Sequence, residues 1–126
     1  MTNLKTKNDL KIRARRSPCP LGCSLDIIGD RWTLLVIRDL IIEKKRKFKE
    51  FLESPEGITT NILAERLKRL ESCGIIERNP YCDNPPRFEY SLTDKGEDLR
   101  PVISAIVDWG QKHFDDVIDP RSTYGI

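Results

Sequence analysis

A mainly α-helical domain carrying one small β-hairpin is the fold class this sequence predicts. Three observations predict it. Leu63, Leu67 and Leu70 recur at i, i+4 and i+7, the spacing of one helical face. Phe88, Tyr90 and Leu92 alternate with polar residues, the pattern of a strand buried on one side. The stretch from Arg31 to Ile42 is apolar nearly all round, as a helix packed on several sides must be.

Each element follows in chain order. Residues 1–17 are polar, basic and weakly periodic, so a loose arm is expected, followed by one domain over 18–119 and a tail over 120–126. Pro20 suits a first helical turn, where its missing N–H has no partner anyway. A short helix through Leu21, Leu25 and Ile28 then ends at Gly29. Asp30 can cap the central helix. A short helix with Phe48, Phe51 and Leu52 follows, and Ser54-Pro55-Glu56-Gly57 forms a turn. Thr59 or Thr60 can cap the leucine-faced helix, and Gly74 fits the left-handed residue after its end. Ile75 to Thr93 reads as a hairpin whose long tip runs from Pro80 to Pro86. Thr93 can cap a last helix over about 94–116, which kinks or restarts at Pro101.

Composition narrows the function. The chain has 126 residues, 38% of them hydrophobic and 33% charged, which suits one globular domain. No apolar run has the length of a membrane helix, and the first residues lack the apolar core of a secretory signal, so a cytoplasmic location is expected. Four cysteines are too few for a disulfide scaffold at this length. The net charge of +2 says little, but its distribution says more. Six bases against one acid lie between Lys5 and Arg16, and five bases with no acid lie between Lys44 and Lys49. Seven acids against three bases lie between Asp94 and Asp119. One face would then suit a polyanion and another would not, although either basic run alone is also what an ordinary solvated surface offers.

The order of elements carries the functional reading. A short helix and tight turn before a longer amphipathic helix, at about 47–73, is a helix-turn-helix, and a hairpin at about 75–93 behind it makes a wing. The major groove admits one helix, which must present small polar and basic groups past the rest of the fold. The helix from Thr59 can do so through Thr59, Thr60, Asn61, Ala64, Glu65 and Lys68, while its leucines hold it to the core. Taken alone, its pattern equally describes an amphipathic surface helix. Arg78 and Arg87 flank the wing, where an arginine can enter a minor groove, pair with phosphate or simply solubilise a strand edge. Lys47 adds a cation at the start of the motif. The last helix offers more apolar stripes than a small core needs, and the surplus predicts a homodimer with two such helices about 34 Å apart, one DNA turn. The alternative is a better-packed monomer core.

These residues resemble the HxlR-type winged-helix regulators. The matching stretches are Cys19-Pro20, Leu25 to Leu35, Lys47 to Phe51, Gly57 to Thr59, Leu63 to Glu71, Pro85 to Gly96 and Pro101 to Gly110. The resemblance implies a three-helix core plus wing, with extra N- and C-terminal helices that dimerise. It thus implies a homodimeric, sequence-specific DNA-binding transcriptional regulator, for which a palindromic operator is expected. The sequence offers no Gly-rich phosphate loop, nucleophile elbow or His–carboxylate pairing at telling spacing, so neither enzymatic activity nor a cofactor is expected. Leu21, Leu25, Leu99, Val102, Ile103, Ile106 and Trp109 would form its dimer interface. One departure stands out: the family often has glycine in the turn before the Phe48 helix, and Glu43-Lys44-Lys45-Arg46 has none.

Some proteins of this type look like redox or electrophile sensors with a cysteine at the position of Cys19. Its place before Pro20, at a helix N-terminus and near Arg15 and Arg16, favours the thiolate. A structural cysteine near the dimer interface fits equally well. With one histidine, His113, and no second cysteine pair of suitable spacing, no metal site is expected. Partners are then duplex DNA and a second copy of the chain, with a small-molecule or oxidant inducer left open. Two rival readings are a winged-helix module used only for protein contact, and a thiol sensor whose DNA binding is secondary.

Overall fold

The computed structural model describes residues 17–121. The expected basic arm from Lys5 to Arg16, and residues 122–126 of the tail, lie outside the described residues. Helices α1 (Pro20–Ile28), α2 (Thr33–Ile41), α3 (Phe48–Phe51) and α4 (Thr60–Ser72) precede a hairpin of β1 (Ile76–Asp83) and β2 (Pro86–Leu92). Helices α5 (Asp94–Glu97) and α6 (Arg100–His113) complete the order.

Helix α2 is the central post. It buries Thr33, Val36, Ile37, Asp39 and Ile41 and touches α1, α4, α6 and β2. Around it, Phe51, Ile58, Leu63, Leu67, Leu70, Cys73, Ile75, Ile76 and Ile103 form one apolar cluster. Phe51 meets the Tyr90 ring edge-on at 6.3 Å, which locks the short α3 onto the wing. The last helix restarts rather than kinks: α5 ends at Glu97, and α6 begins with Pro101 in its first turn.

The wing is longer and its tip tighter than the sequence suggests. β1 and β2 pair antiparallel from Ile76↔Leu92 to Asp83↔Pro86, leaving only Asn84 and Pro85, joined by a cis peptide, at the tip. Pro80 cannot donate to a ladder, and the register shifts between Pro80 and Cys82 to accommodate it. A further pairing lies on the other edge of β2. Lys47 bridges Glu89, and the Tyr90 N–H donates to the Arg46 carbonyl at 2.8 Å. The chain just before α3 therefore anchors the base of the wing.

Two members of the expected dimer stripe belong to the protomer interior. Ile103 lies in the apolar cluster and Leu99 packs against it. The reason is that α6 packs against α2, and of its two apolar stripes the core takes the one that carries Leu99 and Ile103.

The turn before α3 resolves the missing glycine. Lys44 occupies the left-handed region at φ 59°, where a Cβ is unfavourable. At Gly96 the constraint is steric: a Cβ there would sit 2.2 Å from the Ile75 carbonyl oxygen. Lys44→Gly should raise unfolding stability by about 0.5–1 kcal/mol, and Gly96→Ala should lower it by about 2 kcal/mol or more. Chemical denaturation midpoints of the two variants check both signs.

Candidate nucleic-acid interface

Helix α4 is seated by three leucines. Leu63, Leu67 and Leu70 are all buried. Helical geometry then sends Thr60, Asn61, Ala64, Glu65 and Lys68 to the other side, and all five are exposed, as is Thr59. Thr59 caps the helix, its hydroxyl accepting from the Ile62 N–H at 3.3 Å. The first turn contains no acid, so its free N–H groups present partial positive charge outward.

Of the three bases on α4, only Lys68 remains on the open side. Arg66 Nε donates to Asp30 Oδ2 at 2.8 Å, and Arg69 Nη2 donates to Asp30 Oδ1 at 2.8 Å and to the Thr33 hydroxyl at 3.0 Å. Asp30 also accepts from the Trp32 N–H at 3.0 Å and from the Thr33 hydroxyl. One carboxylate thus ties the start of α2 to the middle of α4. Partial burial by itself would raise its pKa, but the bonds from Thr33, Arg66 and Trp32 outweigh it and hold Asp30 well below the usual carboxylate range. Asp30 was expected only as a cap, and two arginines three apart were the one signal of this larger role.

The far end of α4 is held with equal care. Gly74 follows it at φ 76°, as its place in the sequence predicts. Lys95 Nζ donates to the Cys73 carbonyl at 2.7 Å, completing the helix C-terminus with a cation. The Thr93 hydroxyl donates to the Gly74 carbonyl at 2.6 Å and accepts from the Gly96 N–H at 3.1 Å. These contacts give the Thr93-Asp94-Lys95-Gly96 run a physical meaning that its sequence did not disclose.

The wing sorts its cations too. Arg87 is exposed and makes no ion pair among the described residues. Arg78 lies 4.2 Å from the Phe88 ring and 3.7 Å from Glu71, so it braces the wing against α4. Lys47 is half-buried, with its ammonium 4.6 Å from the Tyr81 ring. Glu50 fixes the chain around it, accepting from the Arg46 and Lys47 N–H groups at 2.9 Å each. Exposed Arg46 and Lys49, not among the expected contacts, lie on either side of Lys47 in sequence.

Elsewhere, Leu21 and Leu25 on α1 and Val102, Ile106 and Trp109 on α6 are exposed. Trp109 is 59% exposed, unusual for the largest apolar side chain, and among the described residues it stacks only on His113 and Phe114 of its own helix end. Cys19 is exposed at the N-cap of α1, and the Gly22 and Leu21 N–H groups lower its thiol pKa. The expected neighbours Arg15 and Arg16 lie outside the described residues. Cys23 donates its thiol to the Ser17 carbonyl at 3.2 Å, and Cys73 is buried in the core. No cluster of metal-ligating side chains occurs among the described residues, and no helix there is long and apolar enough to cross a membrane.

Comparison with known proteins agrees with this geometry. Residues 27–117 match the HxlR-like helix-turn-helix family. The chain is 44% identical over 97 residues to the uncharacterised helix-turn-helix transcriptional regulator YdeP of Bacillus subtilis (strain 168), covering 77% of this chain and 75% of YdeP. It is 36% identical over 111 residues to the similarly described YybR of the same organism, covering 88% of each. Among solved structures, the redox regulator HypR in its oxidised form superposes with a TM-score of 0.69 at 36% identity, covering 77% of this chain and 99% of that one.

The Asp30 cluster makes a pH prediction. A carboxylate whose folded pKa is depressed contributes stability above its unfolded pKa of about 3.9 and loses it as pH falls through the folded value. Asp30→Asn should therefore be less stable than the parent at neutral pH. Its loss of stability below about pH 4 should be shallower, as measured by denaturant titrations across that range.

Proposed function

The chain belongs to the HxlR-like helix-turn-helix family of DNA-binding transcriptional regulators, and we propose that it binds a palindromic operator as a homodimer. The observation that carries this reading is the open polar face of α4 above its buried leucines. Thr60 and Asn61 read base edges, the first-turn N–H groups and Lys68 hold phosphates, and Arg87 reaches the flanking minor groove from the wing. Thr59, Ala64 and Glu65 line the same face, Ala64 offering an apolar contact to a thymine methyl. Arg78 and Lys47 act through the wing they brace rather than as free contacts.

The exposed apolar residues support pairing of two chains. Leu21 and Leu25 on α1 with Val102, Ile106 and Trp109 on α6 are the interface residues, with Leu99 and Ile103 supporting them from inside. Two-fold pairing places the two α4 helices about 34 Å apart, one turn of the duplex. Such a protein works in the cytoplasm, where DNA is. Residues 18–119 form the working domain, with 1–17 as a basic arm and 120–126 as a tail.

Cys19 favours a second layer of control. It is exposed, its thiol is activated by a helix N-terminus, and HypR is described as a redox regulator. Oxidation of Cys19 changes DNA affinity in this reading. A role confined to protein contact is disfavoured by the polarity of the α4 face.

DNA selected from a random pool by the purified protein should be palindromic, and affinity should fall steeply with salt. Thr60→Ala combined with Asn61→Ala should relax base preference by about 1–3 kcal/mol per contacted pair, whereas Lys68→Ala should weaken all sequences alike and reduce the salt slope by about one. A salt-insensitive affinity would end the DNA reading. For the thiol, Cys19→Ser should keep reduced-state DNA binding and lose its response to peroxide, as measured by mobility shift; a retained response refutes the sensor role.

A further inference from the structure

Two adjoining cavities share Ile41 and Arg100 in their linings, and no residue of α4 lines either one. The first holds about 300 Å³ and is lined by Lys44, Arg46, Ser91, Glu97 and Arg100 beside Ile41. The second holds about 230 Å³ between Ile41, Ile42, Pro101 and Ile103, with Arg121 at its edge. We propose that this paired cavity binds a small amphipathic monocarboxylate, its carboxylate among Lys44, Arg46 and Arg100 and its apolar body against Ile41, Ile42 and Pro101.

Charge accounting supports an anion. Three cations and one acid line the first cavity. Arg100 spends its charge on Glu97, at 2.8 Å and 3.2 Å. The Lys44 and Arg46 side chains make no hydrogen bond or ion pair among the described residues. Two uncompensated cations beside an apolar wall favour a small anion.

The backbone supplies an independent observation. Lys44 sits at φ 59°, where glycine is unstrained and lysine is not. The chain carries a lysine at this strained position, and that residue lines the cavity. The second cavity explains why the ligand is not a bare inorganic anion. Arg121 is already neutralised there by Asp108 at 2.7 Å and Asp119 at 2.8 Å, and it donates to the Ser104 hydroxyl at 2.8 Å. That leaves the apolar walls to receive hydrocarbon. A ligand so placed would touch α2, the base of the wing at Ser91, and the start of α6 together.

The test is calorimetric titration of the full chain, without DNA, using hexanoate, hexanol and inorganic phosphate as probes. Hexanoate should bind, and hexanol and phosphate, each matching one half of the cavity, should bind at least about tenfold more weakly. Lys44→Gly and Arg46→Gln should each weaken hexanoate about five- to tenfold. Lys44→Gly should do so while raising thermal stability, which separates a lost contact from a damaged fold. Absence of hexanoate binding overturns the proposal, as does equal binding of hexanol or phosphate, or hexanoate affinity unchanged in both variants. Loss of DNA affinity in both variants without any hexanoate binding would assign these cations to the nucleic-acid surface and overturn it as well.

Discussion

One carboxylate sets the geometry of the molecule's working face. Asp30 lies between α1 and α2, yet it holds Arg66 and Arg69 on α4. Leucine burial alone would seat α4 on the core but leave its rotation and slide loosely defined, because apolar contact is non-directional. Charge-assisted hydrogen bonds are directional and bind two guanidinium groups to one site. The leucines choose which face of α4 is open, and Asp30 narrows the rotation and slide about that face, which keeps Thr60, Asn61 and Lys68 exposed.

The opposite end of α4 is fixed by a different device. Thr93, Lys95 and Gly96 converge on the carbonyls of Cys73, Gly74 and Ile75, and only glycine can approach Ile75 so closely. The same contacts start the wing, since Ile76 follows at once. Wing and helix are thus referenced to one point. Phe51 on Tyr90, and the pairing of Lys47 with Glu89, return α3 to that frame.

A second polar centre fixes the turn between α3 and α4. Asp39 is 2% exposed, and its charge is met by Arg38 at 2.8 Å, by the Ser54 hydroxyl and by Lys45 at 3.7 Å. Arg38 also forks onto Glu56 at 2.7 Å and 2.9 Å and lowers its pKa. A buried carboxylate with several partners tolerates few alternative arrangements, since each lost partner leaves a costly charge behind. The loop that precedes α4 is therefore set by electrostatics as well as by Gly57 and Pro55.

Periodicity and punctuation in the sequence were sufficient to place the helices, the hairpin and the turn at Gly74, because these depend on residues close along the chain, but they left the cap of α4 between Thr59 and Thr60 and overestimated the tip of the wing. The open face of α4 was legible for the same reason, as the complement of three leucines. What the sequence left undecided was what holds Arg66 and Arg69 and which wing arginine faces outward. Helical spacing already put Lys68 on the open side, but Arg78 and Arg87 look alike in sequence. Only tertiary structure brings Asp30 to the first pair and Phe88 and Glu71 to Arg78, leaving Arg87 outside. The fate of Leu99 and Ile103 was likewise decided by packing, since two apolar stripes on one helix do not reveal which one the core will take. Local order follows from spacing, whereas the choice among chemically equal side chains follows from what folding places beside each of them.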